Sequence, residues 1–347
     1  MKKLFVLLGA VVLVVAFTAP AFAAEWSFYG SARITTFWTD VSEELGPTGE
    51  DDLDLDHSLQ GNSRIGASVK VSDNLTGHFE YGSTPNLRLL WGEYDFGAFK
   101  LGVGQHYVPL CLFYSNQAYG PDNGLLDVGG VYVGRDPMVR AKFGSFEVAL
   151  VKPNTPGVPG AVDTDVTIPM IQAKYTLKVA GLSVALAGGY QTYDVVNALD
   201  QDDDVSAYMV ALGAQYNMGP FSIGGNYWMG QNAGNMGNPT WGYAPNISAS
   251  ADADGVLDND AYGFHVILGF TMSDMVSFEA GYGYVVGDLD DAAEKDETSA
   301  YYLQAKINLA KGVSITPEFG YYDLKDSAAG ADQGNVTYYG LKWQISF

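Results

Sequence analysis

Basic side chains recur on one face of segments in which polar and apolar residues alternate. In a strand successive side chains point to opposite faces, so residues two apart lie on the same side. The polar faces carry Arg33, Arg64, Lys70, Lys100, Arg140, Lys142, Lys174, Lys306 and Lys342. Only a few acids share these faces, namely Glu80, Glu147, Glu279 and Glu318. Such a basic wall acts on ions and dipolar solutes through its field. For Lys174, Lys306 and Lys342 plain solvation is the simpler interpretation.

Catalytic signatures are missing from the sequence. It contains neither the H-E-x-x-H zinc motif nor the G-x-S-x-G nucleophile motif. The four histidines are scattered: His57, His78, His106 and His265. Cys111, the single cysteine, lies among apolar neighbours, which predicts a buried thiol and excludes an internal disulfide. We therefore expect no enzyme and no cofactor.

Acidic residues concentrate in segments without periodicity. Residues 40–56, 200–204, 252–260 and 288–297 are rich in Asp and Glu and punctuated by Gly, as surface loops are. Asp252, Asp254 and Asp258 form a weak candidate for a metal site, because the spacing and closing Glu of an EF-hand are missing. We therefore expect the protein to bind no metal ion. The net charge of −22 argues against a nucleic-acid partner.

Alternation of polar and apolar residues defines sixteen predicted strands, joined alternately by short turns and long polar loops. They lie near 26–38, 62–71, 75–83, 87–96, 99–107, 138–143, 146–152, 168–178, 181–193, 205–217, 220–231, 260–271, 275–285, 297–309, 312–323 and 335–347. An even number of strands with this connection pattern predicts an all-β fold, a 16-stranded antiparallel transmembrane β-barrel. No later stretch is apolar for the roughly 18 residues that a membrane helix needs.

Aromatic residues distinguish this fold from a soluble β-sandwich, which needs no rings at both ends of its apolar face. Such rings bracket aliphatic stretches at Trp26 and Trp38, Tyr208 and Tyr216, and Tyr339 and Phe347. One segment, 87–96, fits neither register. A bulge near Gly92 would let Leu89, Trp91, Tyr94 and Phe96 all face lipid.

Residues 108–137 form a connector unlike the others. This segment is thirty residues long and apolar and aromatic, so it cannot lie in water. Long loops pack by their own side chains, and the interior of a barrel is the only apolar shelter near its mouth. We expect this third extracellular loop to fold inward and form a constriction.

The first 23 residues have the pattern of a secretory signal peptide. A basic start, an apolar run from Leu4 to Phe17 and the small-x-small site Ala21-Phe22-Ala23 predict cleavage after Ala23. The apolar run is shorter than a membrane anchor requires. The expected organisation is residues 1–23 as a cleaved signal peptide, with export through the periplasm, and 24–347 as a single outer-membrane barrel domain.

The order of several motifs resembles the trimeric general-diffusion porins of Gram-negative outer membranes. The motifs are "FYGSAR", "SRIGASVKVSDNLTG", "RLLWGEYDFGAFKLG", "LDVGGVYVGR" and a terminal Phe, and together they span the mature chain. The resemblance implies a homotrimer whose pore is narrowed by loop carboxylates facing a wall of arginines. Arg64, Arg88 and Arg135 match the wall, and Asp127 matches the loop acid.

Two positions depart from the pattern of that family or match it less closely. Ser31 stands where the family has a lysine in the first strand, and Arg33 is its expected replacement. Asp122 is a second, weaker loop acid. Lys70, Arg140 and Lys142 are expected to be further residues facing the lumen.

The predicted function is a water-filled channel for passive diffusion of ions and small hydrophilic solutes. Its partners are its own copies, outer-membrane lipid and lipopolysaccharide, and those solutes. A channel selective for a sugar or an anion is the alternative, favoured if Tyr107, Phe113, Tyr114 and Tyr119 form a stacking track. A non-conducting adhesin or structural barrel is a third possibility. Ion selectivity stays open, because a basic wall and acidic loops act in opposite directions.

Overall fold

The computed structural model describes residues 24–45, 52–84, 86–156, 158, 161–197, 202–251 and 255–347. The predicted signal peptide lies outside these residues. The strands in the first half of the chain are β1 (Glu25–Val41), β2 (Asp52–Leu59), β3 (Arg64–Lys70), β4 (Leu75–Gly82), β5 (Leu87–Asp95), β6 (Lys100–Tyr107), β7 (Cys111–Leu112), β8 (Val131–Tyr132), β9 (Arg135–Phe143), β10 (Phe146–Val151), β11 (Ala161–Asp165) and β12 (Met170–Val179). Those in the second half are β13 (Leu182–Asn197), β14 (Asp202–Met218), β15 (Phe221–Gln231), β16 (Ser250–Ala251), β17 (Val256–Leu257), β18 (Asn259–Thr271), β19 (Val276–Leu289), β20 (Asp296–Ala310), β21 (Val313–Asp323) and β22 (Asn335–Ser346).

One sheet of 18 of these strands closes on itself. Every strand pairs antiparallel with its neighbours, and β1 pairs with β22 from Ser31↔Ser346 to Val41↔Val336. Two passes are interrupted, because β2 and β3 both pair with β1 while β11 and β12 both pair with β13. The 18 strands therefore make 16 passes. The predicted 16-stranded antiparallel barrel is confirmed.

Side chains alternate between the two faces of the barrel, and β20 shows the difference clearly. Tyr301 and Leu303 are 47% and 58% exposed, whereas Tyr302 and Gln304 between them are 2% and 6% exposed. The apolar exposed set faces outward, where lipid replaces water, and the polar set faces the lumen. Trp26, Tyr208, Tyr216, Tyr339 and Phe347 belong to the outward set, as the sequence predicts. Within the described residues, no helix is both long and apolar enough to cross a membrane.

Strand β5 is irregular at a different residue from the one predicted. Its register against β4 shifts between Glu80 and Tyr81, opposite Leu89 and Leu87, so the extra residue is Arg88. From Leu90 onward the pairing with β6 is continuous. The bulge predicted near Gly92 is therefore wrong. Leu90, Tyr94 and Phe96 face outward, whereas Leu89 is buried and Trp91 turns inward.

Candidate functional site

Residues 108–134, between β6 and β9, form a folded unit that we call the apolar loop. Strands β7 and β8 pair within it, with Cys111 opposite Tyr132 and Leu112 opposite Val131. A single turn spans Tyr119–Asp122 and is closed by the backbone N–H of Asn123, which donates to the Tyr119 carbonyl at 3.0 Å. The Cys111 thiol donates to the carbonyl of Gly134 at 3.2 Å, and burial raises its pKa to about 11. This geometry agrees with the prediction that Cys111 is buried and unreactive.

The tip of the apolar loop contacts lumen-facing side chains of the last two strands. The carboxylate of Glu318 on β21 accepts hydrogen bonds from the backbone N–H of Ala118 at 2.6 Å and of Tyr119 at 3.0 Å. It also accepts one from the hydroxyl of Tyr338 on β22 at 3.0 Å. Gln117 donates to the hydroxyl of Tyr338 at 2.9 Å. Two backbone donors of the loop meet the same carboxyl group, so Glu318 fixes the loop tip to the wall.

A second carboxylate holds the segment before the tip. Glu279 on β19 accepts hydrogen bonds from the backbone N–H and the side chain of Asn116, at 2.8 and 2.7 Å. The hydroxyl of Tyr302 donates to the same carboxylate at 2.6 Å and makes a 2.7 Å hydrogen bond with Ser115. The loop is therefore bound to β19 through the backbone of Asn116 and to β20 through the side chain of Ser115.

Glycine lets the far end of the apolar loop approach the wall. The backbone of Gly129 has φ +83°, and a Cβ built on it would overlap the carbonyl oxygen of Phe264 on β18. The Gly129 carbonyl accepts hydrogen bonds from Asn226 at 2.7 Å and from Trp228 at 3.2 Å, both on β15. Because this backbone touches the wall directly, only glycine fits there.

A cavity of about 910 Å³ lies between the apolar loop and the wall. Its charged lining residues are Arg33, Arg64, Arg88, Arg135, Lys306, Lys342, Asp122 and Glu279. The structure thus brings together the four predicted wall arginines and one of the two predicted loop acids.

Asp122 connects the loop to the basic wall. Its carboxylate accepts hydrogen bonds from Lys342 at 2.7 Å and from Asn62 at 2.8 Å, and it forms an ion pair with Arg33. Burial favours the neutral form of this acid, but Lys342 and Arg33 outweigh burial and lower its pKa. Asp122 is therefore ionised and neutralises part of the wall.

Arg64 and Arg88 share one acid on the wall. Arg88 Nε donates to Glu80 at 2.6 Å, and Arg64 lies 3.7 Å from the same carboxylate. The hydroxyl of Tyr29 donates to Glu80 at 2.8 Å. This cluster keeps both guanidiniums in place beside the cavity while leaving it net positive.

The remaining predicted basic residues differ in position. Arg135 is the first residue of β9, and its guanidinium lies 5.6 Å from the ring centre of Tyr107. Arg140 is buried on the inner wall, 3.5 Å from Glu93, and Lys142 is also 3.5 Å from that carboxylate. Lys70 pairs with Asp73 at a short turn, at 2.9 Å, and is exposed. Arg140, Lys142 and Lys70 do not line the cavity.

Asp127 requires a correction. Its side chain is 2% exposed and does not line the cavity. It accepts a hydrogen bond from Asn123 at 3.2 Å, and a Cβ on Gly242 would lie 2.6 Å from its Oδ2. Burial raises its pKa to about 7. Asp127 therefore packs the apolar loop against a neighbouring loop and does not face the aqueous path.

That neighbouring loop, residues 232–249, was not recognised from sequence. Asn238 accepts a hydrogen bond from the backbone N–H of Tyr132 in the apolar loop at 3.0 Å. Ala233, Met236 and Ile247 are almost fully buried. A signal was available, because residues 232–249 contain no charged residue, whereas the connectors at 40–56, 200–204, 252–260 and 288–297 are acidic. A long loop without charged residues needs a protein surface to cover it, as the apolar loop does.

The predicted aromatic track is divided. Tyr107 and Phe113 line the cavity. Tyr114 instead packs against Gly213 and edge-on to His265, with ring centres 6.0 Å apart. Tyr119 stacks on Tyr338 at 3.9 Å. The four rings therefore do not form one continuous stacking track.

The weak metal candidate is only partly visible. Asp252 and Asp254 lie outside the described residues, and Asp258 accepts a hydrogen bond from Asn232 at 2.7 Å. Across the part of the chain that the structure describes, no three His, Cys, Asp or Glu side chains are grouped to hold a metal ion.

Solved structures with the same architecture cover nearly the whole chain. The outer membrane channel DcaP of Acinetobacter baumannii superimposes with a TM-score of 0.75 at 17% identity, over 93% of this chain and 97% of DcaP. OmpT of Vibrio cholerae in its trimer form gives 0.58 at 16% identity, over 94% and 100%. The anion-selective porin of Comamonas acidovorans gives 0.59 at 14% identity, over 93% and 100%. At these identities the likeness establishes the fold alone.

Sequence comparison establishes the family. No curated protein matches the sequence significantly. The profile of the Gram-negative porin family matches residues 9–327, which is most of the chain. A closed barrel with a polar interior is the architecture of water-filled outer-membrane channels. The chain therefore belongs to the Gram-negative porin family and is a channel of the outer membrane for passive diffusion.

Proposed function

We propose that this channel prefers small anions and that the apolar loop forms its constriction. The observation that carries the proposal is the lining of the cavity. Six basic side chains and two carboxylates, Asp122 and Glu279, face the same aqueous space. An excess of fixed positive charge beside a narrow path raises the local concentration of anions and repels cations.

The pairing of these charges supports the same preference. Asp122 offsets only one of its two basic partners, Arg33 and Lys342. Among the described residues, Arg135 and Lys306 have no ion-pair partner. Their charges are therefore not offset by a direct ion pair, although Asp136 interacts with Arg135 at longer range.

The acidic outer segments oppose the wall from a distance. At physiological salt the Debye length is about 8 Å, so exposed charges farther than this from the ion path are largely screened. Charges that line the cavity are screened less. We therefore expect the wall to decide the sign of the selectivity.

The constriction is inferred from the contacts of the apolar loop. Glu279 and Glu318 bind its backbone from the wall, and Gly129 touches β18 directly. These contacts favour a loop that lies across the lumen and is held on several sides. The expected consequence is one narrow, charged passage beside Asp122.

Purified protein in a planar bilayer under a salt gradient tests the proposal. We expect stepwise insertion, stable conductance and a zero-current voltage whose sign reports anion preference. The double variant Arg135→Gln/Lys306→Gln should reduce this preference. Lys70→Gln is the matched control, because Lys70 does not line the cavity. A cation-selective zero-current voltage would refute the anion preference. Folded protein without any conductance would refute the channel and favour an adhesin or structural barrel.

Self-association as a homotrimer is part of the proposal. OmpT, a structural neighbour, is described in a trimer form, and the wide outward apolar face of this barrel suits contact with lipid, lipopolysaccharide and further copies. Closing of single insertions in three equal steps would support three pores per unit. We expect no lipase or protease activity from the same preparation. Removal of residues 1–23 stays a prediction, which N-terminal sequencing of the mature protein tests.

A further inference from the structure

We propose that the cavity contains a binding site for planar aromatic carboxylates, formed by Tyr107, Phe113, Tyr132, Arg88 and Arg135. We call these five residues the ring and arginine site. The inference rests on the proposed diffusion channel, since it names a class of solute that would use it. All five side chains line the cavity.

Three rings form the apolar half of the site. Phe113 lies 5.2 Å from Tyr107 and 6.0 Å from Tyr132, measured between ring centres. Tyr107 and Tyr132 are 6.3 Å apart. The contacts of Tyr107 with the other two rings are edge-on, an arrangement that aromatic pairs favour. A further ring therefore finds both faces and edges to pack against.

Phe113 is the decisive residue, because it is 51% exposed. Most of the other exposed large apolar residues lie on the outward face of the strands, where lipid covers them, but Phe113 belongs to the apolar loop and lines the cavity. The free energy falls when another apolar surface covers a phenyl ring that is exposed to water. An aromatic solute in the cavity would provide that surface.

Two guanidiniums form the polar half of the site. The Arg135 guanidinium is 5.6 Å from the ring centre of Tyr107, and Arg88 Nη2 donates to the Tyr107 hydroxyl at 3.4 Å. Guanidinium groups bind carboxylates through two parallel hydrogen bonds. Among the described residues Arg135 interacts with Asp136 at longer range but forms no ion pair within 4 Å, so its guanidinium donors are available to a solute.

The combination selects against other solutes. A small aliphatic carboxylate would use the arginines but leave Phe113 uncovered. A sugar would stack on a ring, but neutral hydroxyls gain less from a guanidinium than a carboxylate does. Only a solute with both a flat apolar part and a negative group would satisfy both halves.

Block of the KCl current by benzoate at pH 7 tests the site. We expect the half-blocking concentration of benzoate to be about tenfold lower than that of acetate, which has the charge without the ring, and of benzyl alcohol, which has the ring without the charge. Phe113→Ala should raise the value for benzoate to near that for acetate. Arg135→Gln should raise the half-blocking concentration of benzoate to near that of benzyl alcohol. Lys70→Gln is the matched control, because it also removes one positive charge but Lys70 does not line the cavity.

Calorimetric titration of folded, detergent-solubilised protein with benzoate measures binding without current. Equal block by benzoate and acetate, with normal conductance, would overturn the site and leave the channel standing. Binding lost in Phe113→Ala, in protein that conducts nothing, would support the site and refute the channel. Binding unaffected by Phe113→Ala would place benzoate elsewhere and overturn the inference. Selective block by a neutral sugar in place of benzoate would do so too.

Discussion

Lys342 donates a hydrogen bond to the carboxylate of Asp122 at 2.7 Å. A residue of the apolar loop is thereby held by a basic residue of the barrel wall. The carboxylate also lines the cavity, so it both fixes the loop and lowers the positive charge along the ion path.

Asp122→Asn should increase the preference for anions. A unit charge about 4 Å from an ion changes the ion's energy by about 1 kcal/mol in water, which corresponds to roughly a fivefold change in the permeability ratio. The zero-current voltage in a salt gradient measures the ratio. Asp127→Asn is the matched control and should leave the voltage unchanged, since Asp127 is buried away from the cavity. Equal shifts in the two variants would contradict the assignment of Asp122 to the ion path.

Asp127 should make stability depend on pH. Burial raises its pKa from the ordinary 3.8 to about 7. Between these values the folded protein holds a proton that the unfolded chain releases. The free energy of unfolding therefore decreases as pH rises through this window, by up to about 4 kcal/mol.

Comparison of wild type with Asp127→Asn isolates this effect. The variant cannot ionise, so the difference between its unfolding free energy and that of wild type should grow in its favour from pH 4 to pH 8. Asp122, whose pKa is lowered, has the opposite pH dependence, but it is present in both proteins and cancels. Denaturant titration in detergent at the two pH values measures the difference. A difference independent of pH would argue against a buried, titrating Asp127.

Gly129→Ala should displace the apolar loop. Gly97, in a short turn, has the same φ of +83° but nothing within 4 Å of the position that a Cβ would take, so Gly97→Ala tests backbone strain alone. We expect that control to cost about 1 kcal/mol. Gly129→Ala should cost about 1–3 kcal/mol more, because its Cβ meets the Phe264 carbonyl. Single-channel conductance should change only in Gly129→Ala, and unchanged conductance in both variants would contradict the contact.

Glu318→Ala should loosen the loop tip. The change leaves the buried backbone N–H of Ala118 and the partly buried one of Tyr119 without their acceptor, at about 1–3 kcal/mol for each such group. Greater open-channel noise and faster proteolysis near residue 118 are the expected results. Glu147→Ala removes a wall carboxylate that pairs with Lys174 at 2.9 Å and contacts no part of the apolar loop among the described residues. Similar open-channel noise in both variants would mean that the loss of any wall carboxylate raises the noise, and would contradict a specific role of Glu318 at the loop tip.

The sequence predicted the barrel well because strand alternation is a local property. Each strand exposes its pattern within about ten residues, and all sixteen passes followed from it. The register of β5 was predicted wrongly because the position of Arg88, the bulged residue, depends on its contact with Glu80 in the preceding strand, β4. Alternation alone does not reveal such a partner.

The site was predicted less completely, for the same physical reason. Residues on the strands, such as Arg33 and Arg64, lie where parity places them. Loop residues follow no period, so the choice between Asp122 and Asp127 depended on packing. Gly242 lies against Asp127, and the sequence around Gly242 carries no pattern that identifies its neighbour more than a hundred residues away.

Asp122 also has a consequence for the order of folding. Its two basic partners lie on the first and last strands, Arg33 on β1 and Lys342 on β22, and these strands pair with each other to close the barrel. The three-residue contact therefore has no partners to join until the two ends of the chain have met. The apolar loop then locks the junction, so this contact belongs to the last stage of assembly and reports that the cylinder is complete.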